Sequence, residues 1–236
     1  MNKLIKWVLY SGYVITVTLI FLYVLFPADA AMEYFSGYLA KHHPEYAVTA
    51  DSVKPSFPPG LNLRTVSIAY QGDTWIELER VRVRPHYLSV FSPSKKVLFT
   101  GKAYSGDLKG SLDVKKEEPA YRMTMAAELQ GIRLEENEYL QTLSGRRIAG
   151  RLDSTIDFGR DLKDKNSLNV TLHVTDGEVG LTNPVLSINN LSFDKLEAEL
   201  AVDRRSLKLK RCEINGDQVE GDVTGVVLFR QPFERS

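Results

Sequence analysis

The residues of this 236-residue chain that could do chemistry are four histidines, one cysteine and a scatter of aspartates. His42 and His43 are adjacent. On a helix, neighbouring side chains point about 100° apart, so one metal ion can hardly use both. His86 and His173 stand alone. There is no HExxH, no GxSxG, no Walker loop and no dinucleotide-binding glycine fingerprint. Asp107, Asp113, Asp153 and Asp157 lie on or beside strand-like segments, where isolated acids face solvent. Cys212 is the sole cysteine, which rules out an internal disulfide and a cysteine-built metal site, and it reads as a small strand residue. Arg80, Arg82 and Arg84 alternate into a cationic row, for which a solvated face is the default reading. We therefore assign no catalytic residue, no cofactor site and no metal site. The expectation is a protein that is not an enzyme.

The elements that carry these residues are mostly strands. Leu168, Val170, Leu172 and Val174 alternate with Asn169, Thr171 and His173, the pattern of a strand with one buried face. Leu196, Ala198, Leu200 and Val202 repeat it against Glu197, Glu199 and Asp203. Similar runs begin at Tyr46, Leu61, Thr74, Lys96, Gly106 and Ala120, with turn residues at Gln71-Gly72-Asp73, Tyr104-Ser105-Gly106 and Glu117-Glu118-Pro119. Ile76 and Leu78 differ in parity from Val81 and Val83, so a bulge near Glu79-Arg80 is expected to return them to one face. Met123 and Met125 fit the core face of their strand.

Helical spacing marks three places, and the connecting stretch PHYLSVFSPSKK has room for a further helical turn, so two or three short helices are expected besides the first. Trp7 to Ala28 has no Asp, Glu, Lys or Arg. At about 1.5 Å per residue this stretch is long enough to cross a hydrocarbon core of roughly 30 Å. The competing reading is a cleaved signal peptide, which also has a basic start but whose apolar run of roughly 7 to 15 residues this stretch exceeds. Lys3 and Lys6 precede it and Asp29 follows, which favours a cytoplasmic N-terminus. From Asp29 to His43, Ala31, Phe35, Tyr38 and Leu39 recur at helical intervals, and Pro44 ends the run. Leu134 to Ser144 makes a short third helix, an end cap or lid, stopped by Gly145. Beyond the first helix the chain has 28 basic and 30 acidic residues, a formal charge of −2, which argues against nucleic acid as a partner.

Ten or more strands with apolar faces, and so few helices to cover them, leave two solutions. The sheet closes on itself as a sandwich, or it stays a half-open groove filled by an acyl chain or another protein. Gly106, Gly110, Gly145, Gly150, Gly216, Gly221 and Gly225 in or beside strands favour strong curvature. The expected architecture is mainly β. Residues 1–28 form a cytoplasmic tip and transmembrane anchor, 29–44 a short amphipathic helix, and 45–236 a curved, mostly antiparallel β-domain outside the cytoplasm. Candidate groove-lining residues are Leu168, Val170, Leu172, Val174, Leu196, Leu200 and Val202, with an ordinary closed core as the competing reading.

The segments PSFPPGLNLRTVSI, LQGIRLEENEYLQTLSGRRIAGRLDSTIDF and CEINGDQVEGDVTGVVLF, behind an anchor and a short helix, resemble the type II secretion system protein N family, itself related to AsmA-like bacterial envelope proteins. The likeness lies in strand and glycine texture and includes no catalytic signature. It implies a single-pass inner-membrane protein whose bulk is periplasmic. The implied role is a non-enzymatic component of a type II secretion system that binds other envelope or secretion-system proteins. The alternative is an AsmA-like module that binds or transfers phospholipid or another acyl lipid. Family members usually continue beyond the point equivalent to Phe233-Glu234-Arg235-Ser236, which implies a short member or a truncated chain.

Overall fold

The computed structural model describes residues 3–25, 28–56, 59–117, 120–160, 166–185, 188–203 and 205–229. Among them, three α-helices accompany twelve strands. Helix α1 is Lys3–Val24 and α2 is Ala28–His42. Strands β1 (Tyr46–Ser56), β2 (Gly60–Tyr70), β3 (Asp73–Pro85), β4 (Ser94–Ala103), β5 (Gly106–Glu117) and β6 (Ala120–Arg133) follow. After α3 (Glu138–Ser144) come β7 (Ile148–Arg160), β8 (Asn166–Val185), β9 (Ile188–Asp203), β10 (Ser206–Asn215), β11 (Gly221–Asp222) and β12 (Gly225–Leu228). All twelve belong to one antiparallel sheet, in which each strand from β1 to β11 pairs with the next and β12 pairs with β10.

Such a meander needs only tight turns, and the sequence provides them. Gln71 and Gly72 adopt φ of 52° and 96° between the paired Tyr70 and Asp73, and Tyr104 and Ser105 adopt 47° and 60° between Ala103 and Gly106. Positive φ at both central positions is the turn geometry that matches strand twist. The turn expected at Glu117-Glu118-Pro119 lies partly outside the described residues, as does the breaker segment at 57–58 and the end of the chain at 230–236.

The parity change expected in β3 is present, with a different cause. A bulge in β3 alone would shift its register against β2, yet Leu63 pairs Val81 and Val66 pairs Leu78 in one unbroken register. Instead the ladder is interrupted along a line through Asp51, Thr65 and Glu79, where Thr65 takes φ 48°. Apolar residues step by three across that line in all three strands: Ala50 to Val53, Leu63 to Val66 and Leu78 to Val81. Val66, Leu78 and Val81 thereby join Ala103 and Ile132 in one buried cluster. True register shifts occur elsewhere, at Gly150 between β7 and β8 (φ 138°) and between Leu129 and Ile132, where Gly131 at φ 67° donates its N–H to Asp153 Oδ1 at 2.7 Å. Glycine relieves the steric cost of positive φ at both bulges.

Helices guard parts of the sheet edge. Helix α2 packs along the edge strand β1. The first half of β3 has no β4 partner, and α3 and Tyr104 take that place. Glu77 N–H donates to Tyr104 Oη at 2.9 Å, and the Tyr139 ring lies 5.8 Å from that of Trp75. The N-cap of α3 is Asn137, whose side chain accepts from Leu140 N–H, and Gly145 ends it in the left-handed region. Gln141 ties the helix down: its amide donates to the carbonyls of Leu134 and Ile148, and its oxygen accepts from Ile148 N–H at 2.7 Å.

Among the described residues no helix is found that is long and apolar enough to cross a membrane, so α1 is not shown to be a span.

Candidate functional site: an uncovered apolar sheet face

The seven candidate lining residues fall on two neighbouring strands and one face. Leu168 stands directly opposite Val202, Val170 opposite Leu200, Leu172 opposite Ala198 and Val174 opposite Leu196. Cross-strand partners share a face, so the alternation in β8 and β9 brings all seven side chains together. Only Val174 is buried, at 8 % exposure, and the other six are half-buried.

The register carries this face well beyond those two strands. Phe158 on β7 continues the row from Leu168 to Met125 on β6 and Leu112 on β5. Ile156 and Ala127 extend the row of Val170, while Leu209 on β10 extends it past Leu200. Cys212 lies on the same face, opposite Ala198. Sequence reasoning stopped at β8 and β9. The missed signal was the same alternation in Leu108, Leu112 and in Leu152, Ile156, Phe158, broken there by Gly110 and Ser154.

No second sheet packs on this surface among the described residues. The accessible area makes the consequence quantitative. The chain exposes 17264 Å² at a mass of 26.6 kDa. A compact monomer of that mass exposes about 10,700 Å². Both faces of the sheet and the exposed side chains of α1, such as Trp7 at 74 % and Tyr10 at 70 %, contribute to the excess. Only eight hydrophobic side chains are buried among the described residues, and none of the large ones is fully enclosed.

The opposite face is polar and ion-paired. His173 faces solvent with Nδ1 3.4 Å from Glu197, and Lys195 pairs closely with the same carboxylate. Glu197 is held below the usual carboxylate range, first by the Lys195 hydrogen bond and then by the nearby charges of Lys195, His173 and Arg211. The four aspartates singled out in the sequence are dispersed. Asp107 lies 3.8 Å from Lys102, Asp113 accepts from Ser94 Oγ at 2.7 Å, Asp153 binds the Gly131 amide, and Asp157 is exposed. His43 pairs with Glu45, and the His42 side chain lies outside the described residues. No group of three or more metal-ligating side chains occurs among the described residues.

Comparison with known proteins finds no matching family model, no similar curated protein and no similar solved structure.

Proposed function

We propose that this chain is a membrane-anchored, non-enzymatic module of the bacterial envelope that shelters acyl chains on its open β-sheet face. The observation that carries the reading is the apolar face of β5–β10, paired in register and, among the described residues, left without a covering layer. Half-exposed Leu, Val, Ile and Phe side chains forfeit part of the roughly 1.5–3 kcal/mol each would gain on full burial. An acyl chain is a flexible apolar rod that can lie along such a surface and restore that gain without asking for polar partners.

The anchor part of the proposal rests on the unbroken sequence from Trp7 to Ala28, which has no formal charge, and on the basic flank of Lys3 and Lys6. It places the sheet in the periplasm, at the surface of the inner membrane. The experiment is lipid extraction and mass spectrometry of the full chain purified in mild detergent. Phospholipid retained in stoichiometric amount supports the proposal, and a lipid-free, stable chain sinks it.

A second reading has its own observation. At the far end of the sheet, Val226, Val227 and Leu228 of β12 are exposed at 59–72 %. An uncovered apolar edge strand suits strand addition by another envelope or secretion-system protein. Loss of a cross-linked partner on Val227→Lys, with lipid content unchanged, would favour it.

A further inference from the structure

The polar face carries a basic cleft that the acyl-binding surface does not use. It occupies about 510 Å³ across β1–β5, and its cations are Lys54, Arg64, Arg80, Arg82 and Lys102, with Asp107 the one acid among its lining residues. The register explains how they converge. Arg64 on β2 stands directly opposite Arg80 on β3, and Arg80 stands directly opposite Lys102 on β4. Three like charges are thus aligned side by side, an arrangement that is destabilising by itself. Lys102 is partly neutralised by Asp107 at 3.8 Å, whereas Arg64, Arg80 and Lys54 have no ion pair among the described residues.

The position of the cleft bears on the ligand it would take. Pro55 lines it, and the Pro55 carbonyl accepts a hydrogen bond from Tyr23 Oη at 3.2 Å. Tyr23 lies in the last turn of α1. The cleft therefore sits at the foot of the helix read above as the anchor, at the depth of lipid head groups if that helix spans. We infer that this cleft binds the phosphate of an anionic phospholipid in the bilayer that holds α1. Arg64 and Arg80 supply planar guanidinium donors suited to phosphate oxygens, and Lys54 and Lys102 supply surrounding charge. The bound phosphate offsets the repulsion that the strand register imposes. Since the cleft opens on the face opposite the apolar one, this lipid is distinct from any the apolar face shelters, and it orients the sheet on the membrane. The inference rests on the anchor reading of α1.

The test uses full chain solubilised with equal amounts of phosphatidylglycerol and phosphatidylcholine, with retained lipids counted by native mass spectrometry. The wild type is expected to retain phosphatidylglycerol in excess over phosphatidylcholine by about one molecule per chain, because only the anionic lipid carries the net charge that the cleft cations attract. In Arg64→Gln/Arg80→Gln that excess disappears, phosphatidylcholine retention is unchanged, and the lipid-free protein melts no lower than wild type because like charges have been removed. No excess in the wild type, or an excess that survives in the variant, overturns the inference. Binding of millimolar inorganic phosphate by the lipid-free wild type, with no phosphatidylglycerol excess in the lipid mixture, assigns the cleft to a free anion and also overturns it. Phosphatidylcholine retention reports the apolar face independently, so failure of the acyl-binding reading shows as its absence while the anionic excess remains.

Discussion

Val170 of β8 and Leu200 of β9 face each other directly across the ladder, and both remain half-buried. In a closed sandwich such a pair would be sealed by a facing sheet. Here the pair forms part of an apolar surface with one layer beneath it and none above among the described residues.

That difference is measurable as stability. Leu→Ala in a sealed core costs about 2–5 kcal/mol. Leu200→Ala is expected to cost about 1 kcal/mol by denaturant unfolding, since much of its side chain already meets solvent. A cost at the upper end of the sealed-core range would show that the face is covered.

Much of the sheet was legible in the sequence because half-buried strands alternate. Val170 and Thr171, or Leu200 and Glu199, announce their faces without any partner being known. The two hairpin turns at Gln71-Gly72 and Tyr104-Ser105 and the glycine stop of α3 were legible for the same local reason. What could not be read was cooperative. The step across Asp51, Thr65 and Glu79 involves three strands at once, so a single-strand bulge was the natural expectation from β3 alone. Likewise Arg64, Arg80 and Lys102 look unrelated in sequence and become neighbours only through register.

Gly177 and Phe193 form another such cross-strand pair. A Cβ built on Gly177 would meet the Phe193 ring, the source of all its nearest contacts. Gly177→Ala is expected to destabilise by about 1–3 kcal/mol through overpacking. In a Phe193→Ala background the same change is expected to cost almost nothing, a coupling that a double-mutant cycle measures. Equal costs in both backgrounds would contradict the packing described.

Asp203 organises the β9–β10 turn. Its Oδ1 accepts from the Arg205 and Ser206 amides, each at 2.8 Å, and its Oδ2 accepts from Ser206 Oγ at 3.0 Å. These bonds, that of the Arg205 amide foremost, hold its carboxyl below the ordinary range. A carboxyl lowered on folding contributes stability above its unfolded pKa and loses it as pH falls through the folded value. Hydrogen exchange at the Ser206 amide is therefore expected to quicken in acid in the wild type, and Asp203→Asn to be fast already at neutral pH. A turn whose protection is the same in both proteins at neutral pH would be inconsistent with this role.

If Trp7 to Ala28 spans the membrane as proposed, the sheet lies outside the cytoplasm. A reporter active only outside the cytoplasm, fused after Glu45, is expected to be active in cells. Activity solely of a cytoplasmic reporter at the same point would reverse the orientation.

The proposed acyl-binding role of the open face is tested most directly by placing a photoreactive amino acid at Leu172, on the apolar face, and in a separate protein at Thr171, on the polar one. Irradiation of the full chain in bacterial membranes is expected to yield a phospholipid adduct at position 172 and none at 171. Equal adducts at both positions, or none at 172, would contradict an acyl chain lying along the open face.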